Sequence, residues 1–209
     1  MTWTFRNLDR ILEALLQHLV LVFLSVSIAL VVSLAIGIWS ARRPRTFGLV
    51  LAVTGVLFAI PSLALFALLI PIMGIGSAPA ITGLAAYSLM ILVRNIGTGF
   101  QAIPDEVLEA ARGLGYSPAR RLLEIELPLA LPFIVAGVRI ASVTVIGIAT
   151  VAAYINAGGL GVLIFEGIDQ RFLEKILVGG LLTAALALFF DFALARLERA
   201  LAPAGRRTA

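Results

Sequence analysis

The stretch that decides the fold is ALLQHLVLVFLSVSIALVVSLAIGIWSA at 14–41, which contains no Asp, Glu, Lys or Arg. A membrane-spanning helix needs about 20 predominantly apolar residues, so this run is long enough to cross a bilayer. Arg42, Arg43, Pro44 and Arg45 end it with a basic cluster. The whole chain is 61% hydrophobic and 13% charged, whereas soluble domains are about 45–50% apolar and about 25% charged. The sequence therefore predicts one membrane domain.

Charged residues divide the rest of the chain into further spans. The uncharged stretch 46–93 is about twice the length of a span, and the turn formers Pro71, Gly74, Gly76 and Pro79 divide it, so we expect two helices there. We expect a fourth helix at about 129–153 and a fifth at about 175–195. The glycine-rich stretch 154–172 is expected to be a capped excursion or a partial re-entry on one face. The predicted fold is an all-α protein with five transmembrane helices.

The distribution of Lys and Arg predicts the orientation, because cytoplasmic loops carry the excess of these residues. With five spans, one side of the membrane holds Arg42, Arg43, Arg45, Arg112, Arg120, Arg121, Arg196, Arg199, Arg206 and Arg207. The other side holds Arg6, Arg10, Arg171 and Lys175. We therefore expect the N-terminus outside and the C-terminus in the cytoplasm. Residues 1–14 either lie along the outer interface as part of an amphipathic helix or begin the first span.

The most polar segment of the chain, about 95–127, is expected to lie outside the hydrocarbon. We call it the polar segment. Pro104 and Asp105 mark the start of a helix, Gly115 stands where a left-handed C-cap would be, and Ser117-Pro118 opens a second helix. Such a short helix across the cytoplasmic ends of the spans can pass force between a soluble partner and the bundle.

The sequence EAARGLG at 109–115, followed by IELP at 125–128, resembles the EAA signature of membrane subunits of type I ATP-binding-cassette importers. Further segments resemble the permeases for glycine betaine, carnitine, choline and proline. These segments are IPSLALFALLIPIMGIG at 60–76, RNIGTG at 94–99, LPLALPFIVAGVR at 127–139 and INAGGLG at 155–161. The resemblance covers about residues 15–198. It implies the five-helix, MetI-like fold of these importers, with a cytoplasmic tail at 199–209.

In that family the EAA segment is the coupling helix, which docks in a groove of the ATPase subunit. Here it corresponds to Glu109, Ala110, Ala111, Gly115, Tyr116, Ser117 and Pro118. The resemblance implies two ABC ATPase subunits, a second permease subunit of the same or another sequence, and an extracytoplasmic substrate-binding protein. It places the chain in the cell membrane of a prokaryote and suggests glycine betaine or a related osmolyte as the solute.

Three positions depart from the pattern of that family. Ile91 and Leu182 stand where prolines are expected, and Ile96 stands where a threonine is expected. Loss of two helix-kinking prolines predicts straighter third and fifth spans. These positions bear on the choice of solute more than on the class of protein.

The sequence also argues against several kinds of binding and catalysis in this chain. It has no G-x-x-x-x-G-K-[ST] segment, so we expect ATP and Mg²⁺ on a partner ATPase and no enzymatic activity in this chain. With no Cys and one His, we expect no metal site, and scattered basic residues argue against a nucleic-acid partner. The alternatives are a secondary transporter or channel, a permease for another small polar solute, and a membrane enzyme. The first would usually place paired carboxylates in the membrane, and the last lacks a plausible catalytic set.

Few polar groups remain inside the predicted spans. Arg139 falls roughly 16 Å beyond Pro128, where a lipid-facing Arg costs about 2.5–3.5 kcal/mol or more. It therefore either lines the translocation path together with Arg94 and Asn95, or pairs with Asp191 as a structural lock, which we favour. Gly158, Gly159 and Gly161 either line an external gate or simply turn the chain.

Overall fold

The computed structural model describes residues 2–201, and within that range the chain folds into helices and contains no strand. The prediction of an all-α protein is confirmed. Arg206 and Arg207, part of the tail expected in the cytoplasm, lie outside the described residues. The elements are α1 (Thr2–Arg6), α2 (Leu8–Ala41), α3 (Pro44–Ala59), α4 (Ser62–Met73), α5 (Ser77–Gln101), α6 (Asp105–Gly113), α7 (Pro118–Arg121), a π-helical turn (Leu122–Glu126), α8 (Leu127–Ala149), a 3₁₀ turn (Val151–Ile155), α9 (Gly161–Asp169) and α10 (Leu173–Leu201).

Within residues 2–201, four helical stretches are long and apolar enough to cross a membrane: α2, α5, the run from Pro118 to Ala149, and α10. Helices α3 and α4 meet at an angle of 93° and supply a fifth span if the bent pair counts as one. Helix α2 has 34 residues, which corresponds to about 50 Å. Because this length exceeds a hydrocarbon core of about 30 Å, its ends project beyond the apolar layer or the helix tilts.

The region 46–101 contains three helices where the sequence predicted two within 46–93. The additional break lies at Ile60 and Pro61, because proline has no N–H to donate and its ring obstructs a continuous helix. The break leaves the carbonyl of Ile60 without its helical partner. The hydroxyl of Tyr87 on α5 donates to this carbonyl, and the rings of Phe58 and Tyr87 pack edge to face. Helix α5 therefore stabilises the corner between α3 and α4.

The core forms where α2 packs against α5 and α8. The buried positions of α2 recur every three or four residues, as on one face of a helix: Ile11, Ala14, His18, Leu21, Val22, Ser25, Val26, Ala29, Ser33, Gly37, Ser40 and Ala41. A Cβ built at Gly37 would lie 2.7 Å from Cγ2 of Ile96, so the missing side chain lets α2 and α5 approach closely. Ile96, one of the three departures, is thus buried in helix packing.

Several boundaries differ from the sequence expectation. Residues 95–101, assigned to the polar segment, continue α5 as helix, because Ile96 and Phe100 pack into the core. Residues 8–14, expected either in an interfacial segment or at the start of the first span, are continuous with α2, and the separate short helix is α1. Helix α10 extends over Leu173–Leu201, which is longer than 175–195. Helices α5 and α10 run without a break through Ile91 and Leu182.

Large apolar side chains on α3, α4 and α10 face outward. Leu49, Val53 and Val56 are exposed on α3, Leu68 and Ile72 on α4, and Leu181, Leu188 and Phe189 on α10. An exposed apolar surface of this extent is typical of a protein that meets lipid or another subunit. It accords with the membrane location.

The corner between α3 and α4 gives a test of the fold. We expect Tyr87→Phe to lower the free energy of unfolding by about 1 kcal/mol, because the Ile60 carbonyl loses its donor. The measurement is thermal unfolding of the purified chain in detergent, with Tyr154→Phe at an exposed tyrosine as the control. Equal stability of Tyr87→Phe and the wild type would contradict this role of the hydroxyl.

Candidate functional site

The polar segment begins with α6, a helix with one buried face and one exposed face. Asp105 and Glu106 occupy the first turn, where carboxylates interact favourably with the helix dipole. Leu108 and Ala111 are buried in the cluster that contains Phe100 and Ile103. Glu109 and Ala110 point away from that cluster and are exposed. Helix α6 is therefore held against the bundle along one face and leaves the acidic side of its EAA sequence free.

Helix α6 ends in a Schellman motif. The amide of Tyr116 donates to the carbonyl of Ala111 at 3.1 Å, and the amide of Gly115 donates to the carbonyl of Arg112 at 3.0 Å. Gly115 has a φ of +79°, a conformation that glycine adopts without steric cost. The glycine of the EAA sequence thus fixes the sharp turn between α6 and α7.

Helix α7 begins directly after this turn. The Ser117 hydroxyl accepts from the amide of Arg120 at 3.3 Å, and Pro118 occupies the first turn. The guanidinium of Arg120 lies 4.7 Å from the ring centroid of Tyr116. Leu114 in this turn is 78% exposed, which shows that the turn projects outward. The structure brings all seven residues that the resemblance assigns to a coupling helix into one helix–turn–helix.

Leu123 and Glu109 are both exposed in this segment, and 63% of Leu123 is accessible. Within residues 2–201 Glu109 forms no ion pair with Arg112, so it is not engaged in a local helix pair. Its carboxylate is available to a partner.

Sequence reasoning missed the most buried carboxylate of the segment. Glu126 is 3% exposed, and its carboxylate contacts Arg42 and Arg121. A possible signal was the acidic residue in IELP, directly at the start of a predicted span. Its partner Arg42 is distant in sequence and could not be identified from spacing.

Arg139 of α8 lies between two carboxylates of α10. Its Nε and Nη2 donate to Asp191 at 2.7 and 3.1 Å, a two-pronged pair, and its Nη1 donates to Glu198 at 3.3 Å. Side chains lean toward the N-terminus of their own helix, and α8 and α10 run in opposite directions, so Arg139 and Glu198 lean toward each other. The structure thus brings Arg139 and Asp191 together and adds Glu198, which sequence reasoning missed.

Arg94 and Asn95 are not part of this charge cluster. Arg94 is exposed on α5 and forms no ion pair within the part of the chain that the structure describes. The amide of Asn95 donates to the carbonyl of Ile91 at 2.8 Å, one turn earlier in the same helix. Arg94 is therefore a free cation on the surface of a predicted span.

The glycine-rich turn after α8 is fastened to α2. The amide of Gly159 donates to Oε1 of Gln17 at 3.0 Å, and the amide of Leu160 donates to Nδ1 of His18 at 3.3 Å. Because Nδ1 accepts, Nε2 carries the proton and donates to the carbonyl of Ile146 at 3.1 Å. His18, fully buried, thus joins α2, the end of α8 and this turn, a role that sequence reasoning missed.

The three glycines proposed as a gate have steric reasons for being glycine. Gly158 and Gly159 have φ values of +81° and +85°, which disfavour other residues. Gly161 lies against the backbone of Thr150, which leaves no space for a Cβ. These constraints account for the turn, and Gly158 remains partly accessible.

Charged groups at this end of α2 form a rim. Arg10 contacts Glu166 of α9, and Nζ of the buried Lys175 lies 3.0 Å from Glu166 and 5.1 Å from the ring centroid of Trp3. Arg42, with its partner Glu126, lies at the other end of α2. The start of α2 and the 156–175 region therefore share one end of the bundle, and the polar segment shares the other.

Within the described residues, no group of three or more His, Cys, Asp or Glu side chains could hold a metal ion. The groups found here are ion pairs, helix caps and exposed side chains. Such an arrangement can bind a partner protein and hold helices together.

Comparison with known proteins gives a consistent family. Residues 33–203 match the profile described as "Binding-protein-dependent transport system inner membrane component". The osmoprotectant import permease protein OsmW of Salmonella typhimurium is 40% identical, over 91% of this chain and 91% of that protein. The choline transport system permease protein OpuBB of Bacillus subtilis is 36% identical, over 90% of this chain and 87% of that protein. The carnitine transport permease protein OpuCB of Listeria monocytogenes is 37% identical, over 92% of this chain and 88% of that protein.

Solved structures share the fold. The MetNI methionine ABC transporter in an inward-facing conformation superposes with a TM-score of 0.80 and 24% identity, over 92% of this chain and 96% of that chain. An amino acid ABC transporter superposes with a TM-score of 0.78 and 20% identity, over 95% of this chain and 97% of that chain.

The charge cluster around Arg139 gives a stability prediction. We expect Asp191→Asn to lower the unfolding temperature, because Arg139 loses its two-pronged partner. We expect Arg139→Gln, added to Asp191→Asn, to recover part of that loss, because the unbalanced cation is gone. Thermal unfolding in detergent measures both. Additive effects of the two substitutions would show that the pair does not act as a unit.

The two hydrogen bonds of the His18 ring, to Ile146 and Leu160, give a second prediction. We expect His18→Leu to lower the free energy of unfolding by about 1–3 kcal/mol, because a buried amide and a buried carbonyl both lose their partner. His18→Asn, which keeps an acceptor near Nδ1, is expected to lose less. Chemical unfolding of the purified variants in detergent provides the comparison. If His18→Leu and the wild type are equally stable, the hydrogen bonds of His18 do not contribute to stability.

Proposed function

The chain belongs to the family of binding-protein-dependent transport system inner membrane components, and we propose that it couples ATP hydrolysis on a separate subunit to the import of a small quaternary ammonium osmolyte. The observation that carries this proposal is the agreement among its relatives. They are permeases for choline, for carnitine or for osmoprotectants, and the chain aligns with them over nearly its whole length. Glycine betaine, choline and carnitine all carry a trimethylammonium group, and we favour glycine betaine as the solute to test first.

The polar segment is the proposed contact with the ATPase. Its exposed surface combines the carboxylate of Glu109, the apolar side chain of Leu114 and the rigid turn at Gly115. An acidic helix face next to a protruding apolar residue suits a groove that offers a basic side chain and an apolar pocket. ATP and Mg²⁺ would bind to the ATPase, and this chain would receive the motion.

The proposed assembly contains two permease subunits related by a two-fold or pseudo-two-fold axis, so that two polar segments face two ATPase subunits. The outward apolar faces of α3, α4 and α10 provide surface for the second permease and for lipid. An extracytoplasmic binding protein would meet the opposite rim, near Arg10 and Glu166. This arrangement places the N-terminus outside and the polar segment in the cytoplasm, in agreement with the excess of basic residues there.

The charges inside the spans favour this assignment over a secondary transporter. Both Asp191 and Glu198 are engaged by Arg139, so neither is a free carboxylate of the kind that carries ions in secondary transporters. Arg94 is exposed and forms no ion pair among the described residues, and we place it beside the translocation path. There it would attract the carboxylate of a zwitterion such as glycine betaine.

Uptake of labelled glycine betaine tests the proposal. The assay uses cells that lack other osmolyte systems and carry this chain with an ATPase and a binding protein encoded beside it, and choline, carnitine and proline serve as competitors. We expect Glu109→Lys to reduce uptake about tenfold or more, because a reversed charge at the ATPase contact is repelled. Gly115→Pro is expected to abolish uptake, since proline cannot adopt a φ of +79°.

The control is Glu109→Asp, which keeps the negative charge at the same exposed position and is expected to keep uptake. All variants are compared at equal abundance in the membrane. Uptake that survives both changes in the polar segment would contradict the coupling role. Absence of uptake of every osmolyte, with the ATPase still co-purifying, would overturn the choice of solute alone.

A further inference from the structure

We propose that Glu126 is a positioning residue through which the polar segment moves α2. The inference rests on the proposed coupling function and assigns to that function a joint between two parts of the chain that are far apart in sequence. Three observations support it. Glu126 is buried between two arginines, it ends a π-helical turn, and α5 forms a hydrogen bond to the same end of α2.

The first observation is the environment of Glu126. Oε2 lies 2.5 Å from Nη2 of Arg42, at the end of α2, and Oε1 lies 2.8 Å from Nε of Arg121, in α7. Each carboxylate oxygen thus contacts a different arginine. A carboxylate that is 3% exposed needs such partners, because burial without them would be costly. The carboxylate therefore ties α7 and α2 to the start of α8.

The second observation is the π-helical turn at Leu122–Glu126. The amide of Leu127 donates to the carbonyl of Leu122, five residues earlier. In an α-helix, residues five apart point about 140° away from each other. The wider π turn brings Arg121 and Glu126 onto one face. π-helical turns are uncommon and often accompany functional sites, and here the turn creates the ion pair.

The third observation is the contact between α5 and the same corner of α2. The side-chain amide of Gln101 donates to the carbonyl of Ala41 at 2.8 Å. Helices α5 and α8 flank the polar segment in sequence, so motion reaches them through the peptide chain. Helix α2 is distant in sequence and receives that motion through Arg42 and Ala41. Since α2 packs along α5 and α8 in the core, the joint makes these three helices respond together.

A neighbouring ion pair shows what an incidental contact in this segment looks like. Nε of Arg120 lies 2.9 Å from Glu124, and the two side chains are 61% and 49% exposed. This pair lies within the continuous helical stretch from Pro118 to Ala149 and does not reach α2. It provides a matched control, because Glu124→Gln and Glu126→Gln are the same chemical change two residues apart.

The first test measures the joint in the full chain, in lipid nanodiscs, without ATPase or solute. The sequence has no cysteine, so spin labels attach specifically at Ala35→Cys on α2 and Leu114→Cys in the polar segment. We expect one narrow distance distribution in the wild-type background and with Glu124→Gln, and a broadened one with Glu126→Gln. A distribution of unchanged width with Glu126→Gln would overturn the joint.

The second test measures coupling in proteoliposomes that contain the complete transporter. We expect Glu126→Gln to keep the ATPase bound and active but to lower glycine betaine uptake per ATP hydrolysed about tenfold, because the neutral amide weakens the contact of the polar segment with α2. Arg42→Lys, which keeps the charge, should restore most of the ratio lost in Arg42→Gln. An unchanged ratio with Glu126→Gln would overturn the role in coupling. Failure of the wild-type chain to bind an ATPase would instead overturn the proposed function.

Discussion

A charged group that is buried in protein or lies in hydrocarbon must be paired or must face water, and the arrangement of this protein depends on that constraint. Arg139 satisfies it with Asp191 and Glu198, and Glu126 satisfies it with Arg42 and Arg121. The pairs of Arg139 and the pair of Arg42 with Glu126 join helices that are distant in sequence, whereas Arg121 and Glu126 lie in one helical stretch. The need to neutralise charge therefore also determines which helices are fastened to each other.

Polar contacts join helices at the two ends of the bundle and between α8 and α10. At one end, His18 and Gln17 hold the glycine-rich turn, and at the other end Glu126 holds the polar segment against α2. Apolar packing with close backbone approach, as at Gly37, fills the space between these ends. Polar contacts can keep their partners while apolar surfaces slide past one another, so this division is compatible with the motion of spans that the proposed function requires. Leu114 is 78% exposed at the turn between α6 and α7, where a soluble partner can bind.

The sequence predicted most of the architecture because hydrophobic run length and charge position are strong signals in a bilayer. Runs such as 14–41 gave the all-helical fold, and the Gly115 turn with Ser117 and Pro118 was correctly placed by local capping rules. The pairing of Arg139 with Asp191 could be expected because Asp191 is the acidic residue of the last predicted span. The turn formers at 71–79 predict one division of the stretch 46–93, and they do not indicate the second break at Pro61. The π-helical turn, the joint at Glu126 and the bonds of His18 depend on tertiary contacts that spacing along the chain does not show.

The central claim is that the exposed turn of the polar segment docks on a separate ATPase. Site-specific photocross-linking in cells tests it most directly, with a photoreactive residue placed at Leu114 and, in a parallel experiment, at the exposed Ile168 at the other end of the bundle. The account predicts a cross-link from position 114 to the ATPase subunit and none from position 168. A cross-link from position 168, or none from position 114 in a complex that still holds the ATPase, would contradict it.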